Sequence, residues 1–194
     1  MAAKRHSDPA EWPEGFLYRA EFLSETEEAE LLRAVKTLEF GVYDFRGYIA
    51  RRRVMAFGGG YEPGAQRVQI SSNVIPESLA SIREGAAGVA GISADEIAQA
   101  MVTEYPVGAP IGWHRDAPQF GIIIGISIGG ACRMRLKPYR AEGKIISVLL
   151  EPRSIYVMSG AARSGFQHSI PAVKELRYSI TFRTLREKGK AHAA

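Results

Sequence analysis

The chain has 194 residues, of which 46% are hydrophobic and 24% are charged, as is ordinary for a globular protein of one domain. The net charge of +4 weakly favours an acidic partner such as nucleic acid, and the single cysteine, Cys132, excludes an internal disulfide. The apolar run 122–132 is too short to span a bilayer, and residues 1–20 lack the apolar core of a secretory signal. We therefore expect a cytoplasmic protein with no membrane partner, and by default a monomer.

The N-terminal third of the sequence indicates one helix followed by β structure. Residues 1–14 are polar and contain two prolines, which predicts a flexible tail. Ser24 to Glu27 forms a capping box that opens a helix, and Gly41 ends this helix. Two β-rich runs follow, at residues 41–49 and 52–57.

The remainder of the chain changes from helical to strand patterns. A second helix is predicted over residues 77–90, and Ser93 to Glu96 is another capping box. Short runs separated by Gly and Pro then predict strands at 99–105, 121–128, 131–136, 145–150, 154–158 and 176–184. Helices followed by six or more short strands indicate a single α+β domain, residues 1–194, with a C-terminal β-sandwich or jelly roll and a second flexible tail at 187–194.

The tripeptide His114-Arg115-Asp116 places an imidazole and a carboxylate two residues apart. Residues i and i+2 of a strand point to the same face, so both side chains can reach one metal ion. His168 offers a second imidazole, and two histidines with one carboxylate form the facial triad of non-haem Fe(II) oxygenases. Zinc hydrolases use the same ligand types, and an isolated His-x-Asp can be a surface feature, so the triad alone leaves the metal open.

A strand near the C-terminus carries polar residues on one face. These residues are Arg177, Ser179, Thr181 and Arg183. Inward-facing arginines in a β-sandwich are costly without an anionic partner, so the face is either exposed or an anion pocket. A bound 2-oxoglutarate would satisfy both arginines, one at its distal carboxylate and the other near the carboxylate that meets the metal. Arg183 could also brace Asp116.

Three segments of the chain carry a family resemblance that covers roughly residues 40–185. The run 102–116 resembles an Asn-x-Tyr…Gly…His-x-Asp motif, and His168 matches the distal histidine that follows it. Residues 177–183 resemble the signature Arg-x-Asn-x-Thr-x-Arg, and residues 52–58 resemble a segment that helps form a nucleotide-recognition lid. The chain thus resembles the AlkB family of Fe(II)/2-oxoglutarate dioxygenases.

The resemblance implies a double-stranded β-helix, a relative of the jelly roll, with N-terminal helices and a nucleotide-recognition-lid-like segment. It implies three cofactors, Fe(II), 2-oxoglutarate and O2. The implied iron ligands, and with them the catalytic centre, are His114, Asp116 and His168. The implied 2-oxoglutarate contacts are Tyr105, Arg177 and Arg183, with Thr103 and Ser179 beside them.

Three positions depart from the family pattern. Thr103 and Ser179 replace asparagines, and both keep hydrogen-bonding ability with a shorter reach. Pro118 stands where some DNA-repair members have an acidic residue that contacts a cationic methylated base, and proline cannot make that contact. The resemblance therefore predicts iron and 2-oxoglutarate binding more directly than it predicts the substrate.

The leading functional hypothesis is oxidative dealkylation of a nucleobase in DNA or RNA, with DNA as the first expectation. Hydroxylation of an N-methyl group releases formaldehyde and the unmodified base. A base extruded from a stack or taken from a single strand would stack on aromatic side chains. The candidate substrate contacts are Arg52 and Arg53 for phosphates, beside Arg51, and Tyr48, Phe57 and Tyr61 for stacking, beside Tyr43. The alternatives are a hydroxylase of a protein side chain or small metabolite, which Pro118 and the modest basicity favour, and a jelly-roll binding module without catalysis.

Overall fold

A computed structural model describes residues 8–45, 48–58, 70–72 and 74–186, and at 43–45, 48 and 70–72 it describes the backbone alone. Within these ranges the helices are α1 (Glu25–Lys36), α2 (Glu77–Ala90) and α3 (Gly160–Ser164), with 3-10 turns at Pro9–Glu11 and Ala94–Glu96. The strands are β1 (Phe16–Arg19), β2 (Gly41–Phe45), β3 (Tyr48–Gly58), β4 (Ile70–Ser72), β5 (Ile97–Tyr105), β6 (Ile111–His114), β7 (Phe120–Gly129), β8 (Cys132–Pro138), β9 (Ile146–Leu150), β10 (Ser154–Met158), β11 (Phe166–Ile170) and β12 (Arg177–Leu185).

The strands form two sheets that pack face to face. The main sheet has eight strands: seven follow the order β1-β10-β7-β12-β5-β3-β2, and β4 lies off this path, paired to β3. The minor sheet has four strands in the order β6-β11-β8-β9. The β3–β4 pair is parallel, and the other described pairs are antiparallel.

Two hydrophobic cores hold three layers together. On one face of the main sheet, Val35 of α1 and Leu79 of α2 pack in a core with side chains of the central strands, such as Ile180. On the other face, a second core joins the main sheet to the minor sheet and includes Ile123 of β7 and Met134 of β8. The order of layers is therefore helices, main sheet, minor sheet.

Strand alternation assigns the faces of β12, because successive side chains of a strand point to opposite sides. Tyr178, Ile180 and Phe182 lie in the core under the helices, which turns Arg177 and Arg183 toward the minor sheet. The predicted amphipathic strand is confirmed, and so is the predicted α+β jelly roll, a double-stranded β-helix with helices on one side.

Several predicted boundaries change in the structure. Residues 8–14, predicted as part of a flexible tail, contain a 3-10 turn, and the ring of Trp12 packs edge-on against Phe16 at 5.3 Å between centroids. The second capping box, at Ser93, opens only a 3-10 turn because β5 begins at Ile97. The predicted tail 187–194 lies outside the described residues.

Four of the described strands were not predicted. They are β1, β4, β6 and β11, each of three to five residues. The lid-like segment, residues 52–58, lies in β3, and residues 59–69 after it lie outside the described part of the chain. Among the described helices, none combines the length and apolar character needed to cross a membrane.

Candidate active site

A cavity of about 630 Å³ lies between the two sheets. This volume falls within the range typical of sites for small molecules. Its wall on the main sheet comes from β3, β5, β7, β10 and β12, and its wall on the minor sheet comes from β6, β8 and β11. The predicted metal ligands and most of the predicted co-substrate contacts line it.

His114, Asp116 and His168 come together in this cavity, and their ligand atoms all lie within 4.8 Å of one another. The strands β6 and β11 bring the two histidines into register, with ring centroids 4.2 Å apart. Asp116 follows the end of β6 in the loop, and its Oδ2 lies 3.7 Å from Nε2 of His168. The arrangement fits one metal ion that retains open coordination positions.

Hydrogen bonding and burial set the protonation of these side chains. The Nδ1 atom of His114 lies 2.9 Å from the carbonyl oxygen of Gly112, which can only accept, so Nδ1 donates and Nε2 is the atom that can bind a metal. Burial, with repulsion from His114, lowers the pKa of His168 to about 3. Burial alone would raise the pKa of Asp116, but the charges of Arg183 and the histidines outweigh it and hold that pKa well below its usual value. A neutral His168 and an ionised Asp116 are the forms that bind divalent cations.

Two arginines fix the carboxylate and its loop. Arg183 donates from Nη2 to Oδ1 of Asp116 at 3.1 Å, which is the brace that the sequence predicted, and from Nη1 to Oε1 of Gln99 at 2.8 Å. Arg163, which the sequence reasoning missed, is 6% exposed and donates from Nη2 to the carbonyl oxygens of Asp116, Ala117 and Phe120 at 3.2, 2.7 and 3.0 Å. The loop that carries the metal carboxylate is therefore held from both its side chain and its backbone.

The second arginine of β12 is a buried cation with unused donors. Arg177 is 1% exposed and donates from Nε to Oγ of Ser127 at 3.1 Å. Its Nη1 and Nη2 atoms make no hydrogen bond with any described residue. Its guanidinium lies 4.9 Å from the ring centroid of Tyr105, which lines the cavity, whereas Arg177 itself does not. Buried donors of this kind are normally satisfied, so an anion such as a carboxylate fits here.

The remaining predicted co-substrate residues lie on the cavity wall near these arginines. Thr103 and Ser179 face each other across the β5–β12 ladder and both line the cavity. Burial raises the pKa of Tyr105, so its hydroxyl stays protonated and can donate a hydrogen bond. This wall therefore offers hydroxyl donors and guanidinium donors to a small dianion.

Tyr156 of β10 is a cavity residue that the sequence reasoning missed. Its ring occupies the space above Gly125, where an added Cβ would come within 2.2 Å of Cζ of the tyrosine. Burial raises the pKa of Tyr156, which keeps the phenol neutral. The signal in the sequence was a glycine in the middle of a predicted strand, which often marks the close approach of another group.

The arginines of β3 separate by strand parity. Arg52 lines the cavity with Ala50 and Val54. Arg53 points to the opposite face, where its Nη2 lies 2.7 Å from Oε1 of Glu104. Arg53 therefore does not line the cavity beside Arg52, because adjacent residues of this strand point to opposite faces, and its contact with the substrate stays a prediction.

The aromatic candidates divide in a similar way. Phe57 is 3% exposed and lies in the core under the helices, so the prediction that it stacks on a base is wrong. Tyr61 and the side chains of Tyr43 and Tyr48 lie outside the described residues. Trp113 borders the cavity beside His114, but its ring lies against Arg135 and Lys137, and the sequence reasoning noted it only as a neighbour of His114.

Comparison with known proteins identifies relatives of the chain. The family model of the 2OG-Fe(II) oxygenase superfamily matches residues 15–183. The chain is 30% identical over 164 residues to tRNA (carboxymethyluridine(34)-5-O)-methyltransferase ALKBH8 of Mus musculus, covering 81% of this chain and 24% of that protein. It is 30% identical over 125 residues to the alpha-ketoglutarate-dependent dioxygenase AlkB of Salmonella typhimurium, covering 59% of this chain and 57% of that protein. The chain thus spans less than two thirds of each of these two relatives.

The fold also matches a solved structure. The structure of OsALKBH1 superimposes with a TM-score of 0.71 at 16% sequence identity, covering 89% of this chain and 99% of that one. At this identity the match concerns the fold, and it agrees with the two facing sheets described above.

Proposed function

We propose that the chain removes alkyl groups from nucleobases of DNA or RNA by oxidation. The proposal follows from the family of the chain, which belongs to the 2OG-Fe(II) oxygenase superfamily and within it to the AlkB family. The chain is an Fe(II)/2-oxoglutarate-dependent dioxygenase, and its cofactors are Fe(II), 2-oxoglutarate and O2. The observation that carries the proposal is the triad His114, Asp116 and His168 in a cavity that is also lined by most of the residues expected to contact a 2-oxo diacid.

In this proposal the three triad residues hold the iron. The imidazoles bind through the nitrogens that face the cavity, and Asp116 binds through an oxygen while Arg183 occupies its Oδ1 atom. When bound, iron with 2-oxoglutarate and O2 supplies the oxidation of a C–H bond, with succinate and CO2 as by-products. Arg163 and Arg183 keep the carboxylate in place as charge develops around it.

The proposed 2-oxoglutarate contacts lie on two neighbouring strands. Arg177 offers its two unused donors to the distal carboxylate, and the hydroxyl of Tyr105 lies beside it on the cavity wall. Arg183 lies next to the metal carboxylate, and the proposal assigns it to the other end of the diacid. Thr103 and Ser179 add hydroxyl groups along the wall between them.

The proposed base-binding part of the cavity is lined mainly by apolar side chains. Ile111, Ile170 and Val54 line the cavity, and Arg52 lines it as well. Apolar walls exclude water from the reacting C–H bond. A base would have to leave its stack to reach the iron, which favours single-stranded or extruded substrates.

Repair of alkylated DNA or RNA by a cytoplasmic monomer is the biological role that we propose on this basis. The two sequence relatives are named for acting on tRNA and for dioxygenase activity, respectively. The basic clusters of the chain are compatible with a polyanionic substrate.

The test is mass spectrometry of methylated single-stranded DNA and RNA oligonucleotides after incubation with the protein, Fe(II), 2-oxoglutarate and air. We expect the oligonucleotide to lose the mass of a methylene group, only when 2-oxoglutarate is present and not with His114→Ala. The preferred nucleic acid follows from the same data. If His114-dependent succinate forms without any change in either oligonucleotide, nucleobase dealkylation is wrong, and a protein or metabolite hydroxylase takes its place.

A further inference from the structure

The chain concentrates its positive charge in one hairpin of the minor sheet. Residues 132–150, which contain β8 and β9, carry five cationic side chains and one carboxylate, Glu142. The five cations are Arg133, Arg135, Lys137, Arg140 and Lys144. This excess of four positive charges equals the net charge of the whole chain, so the positive and negative side chains of the other residues are equal in number.

Strand alternation places part of this charge on the outer face of the minor sheet. Met134 and Leu136 of β8 are 1% and 0% exposed and lie in the core between the sheets. Arg135 and Lys137 therefore point outward, away from the main sheet. Both are partly exposed, so they can meet a partner in solution.

Two aromatic rings hold these cations in place. Cζ of Arg135 lies 5.1 Å from the ring centroid of Trp113, and Nζ of Lys137 lies 4.5 Å from the same ring. Cζ of Arg115 lies 3.7 Å and Cζ of Arg140 lies 5.0 Å from the ring centroid of Tyr139. We name this set the aromatic–basic strip: Trp113, Arg115, Arg135, Lys137, Tyr139 and Arg140.

The strip begins beside the cavity. Trp113 and Arg115 flank the metal-ligand candidate His114 and border the cavity, and the ring of Trp113 lies with Arg135 and Lys137 on the outer face. From there the strip follows β8 and the residue after it, from Arg135 to Tyr139, a distance of about 13 Å for extended chain. One nucleotide of a B-form strand takes up about 3.4 Å along the axis, so the strip is long enough to contact more than one nucleotide.

The strip has the properties of a site for phosphates. Each ring carries two like charges, which repel one another and gain most from an anion between them. Cations stacked on aromatic rings are also restricted in their rotamers, so less entropy is lost when they bind. Isolated solvated cations would show neither feature.

We propose that the aromatic–basic strip binds the phosphodiester backbone of a single-stranded nucleic acid next to the nucleotide whose base enters the cavity. The inference rests on the proposed function, and it assigns the backbone contacts of the substrate to the minor sheet. It replaces the prediction that Arg53 serves phosphates, since that side chain pairs with Glu104 on the other face of the main sheet.

The experiment measures binding of labelled single-stranded DNA and RNA of one sequence by fluorescence anisotropy over a range of salt concentrations. The test variant, Lys137→Gln with Arg140→Gln, removes one cation from each ring. The matched control, Arg33→Gln with Lys36→Gln, removes two exposed cations from α1, in the helical layer on the opposite side of the molecule. Turnover of 2-oxoglutarate without nucleic acid is expected to be equal in all three proteins, which shows that each is folded.

We expect the test variant to bind several-fold more weakly at low salt, while the control binds like the wild type. The slope of log affinity against log salt should fall by about 1.4 for the test variant, because each phosphate contact to a single strand contributes about 0.7. Wild-type affinity and slope in the test variant, or no binding of either nucleic acid by the wild type, would overturn the proposal.

Mass spectrometry of dealkylation in the same samples separates this proposal from the proposed function. Binding that depends on the strip without any dealkylation leaves the strip correct and the proposed function wrong. Dealkylation with binding that the test variant does not change leaves the proposed function correct and the strip wrong. The DNA and RNA arms identify which polyanion the strip prefers.

Discussion

The substitution Arg177→Met tests whether the guanidinium of Arg177 binds the co-substrate. Methionine keeps an unbranched side chain against Tyr105 and removes the charge and all five donors. Without an anion the wild-type guanidinium is a buried cation with one described hydrogen bond, to Ser127, and two terminal nitrogens that donate to no described residue. Burying an uncompensated cation costs several kcal/mol, so the substitution removes a cost from the ligand-free protein.

Arg177→Met is expected to weaken 2-oxoglutarate binding without lowering the stability of the ligand-free protein. Loss of a charge-assisted, two-donor contact to a carboxylate should weaken 2-oxoglutarate binding by about 2–4 kcal/mol, or roughly 30- to 1000-fold. The ligand-free protein should lose the hydrogen bond to Ser127, worth about 1 kcal/mol, and the polar contacts of the guanidinium with Tyr105 and Cys132, and should gain from the removed desolvation cost. We therefore expect its free energy of unfolding to stay the same or to rise.

The assay combines the KM for 2-oxoglutarate with denaturant unfolding in the absence and presence of 2-oxoglutarate and a redox-inert divalent cation. Arg163→Met is the matched control, because this arginine is also buried but its Nη2 already donates to three backbone carbonyls. The control should lower the free energy of unfolding by about 3 kcal/mol or more, since it leaves buried acceptors unsatisfied. If Arg177→Met destabilises the ligand-free protein as much as the control does and leaves the KM unchanged, Arg177 is structural and the reasoning fails.

Three further predictions concern the cavity and the core. Asp116 is the single carboxylate among the described cavity residues, and it is a metal-ligand candidate, so we expect the protein to prefer neutral over cationic alkylated bases. Pro118→Glu should shift the ratio of kcat/KM for the two bases roughly five- to tenfold toward the cationic base. An unchanged ratio in a competition assay would refute this. Burial raises the pKa of the Cys132 thiol, so a thiol reagent should label it only after unfolding, and rapid labelling of native protein would contradict the buried position. Gly125→Ala should lower the free energy of unfolding by about 1–3 kcal/mol, because its Cβ would meet the ring of Tyr156. Gly88→Ala in α2, with no heavy atom within 4 Å of its Cβ, should raise the free energy of unfolding by roughly 0.5–1 kcal/mol. Equal unfolding midpoints of the two variants in urea would count against the packing argument.

The features that could be predicted from the sequence are those set by local periodicity. The helix over 77–90 has the observed bounds of α2, and the alternation of polar and apolar residues in 177–183 gave the correct faces of β12. The first two members of the triad were also predictable, because they are two residues apart. His168 entered the prediction as a second imidazole and through the family resemblance, and only the pairing of β11 with β6 shows that it lies beside His114.

Contacts between distant parts of the chain explain the features that were missed. β1 is only four residues long and gains its pairing from β10, far along the sequence. Arg163 finds its acceptors more than 40 residues away, in the loop that follows Asp116. No local pattern distinguishes such an arginine from an exposed one, because its role depends on which loop packs against α3.

The positions of Arg53 and Phe57 away from the cavity have a different origin, since the information was present in the sequence. Both residues have odd positions on β3, whereas Ala50, Arg52 and Val54 have even positions and line the cavity. Side chains of one regular strand that contact the same ligand must lie on the same face, so their positions are all odd or all even. Applied to β3 as it was applied to β12, this rule assigns Arg52 to the cavity and Phe57 to the core, as the structure does. The odd or even position of a residue predicts which face of the strand its side chain occupies, and the tertiary structure determines what packs against that face.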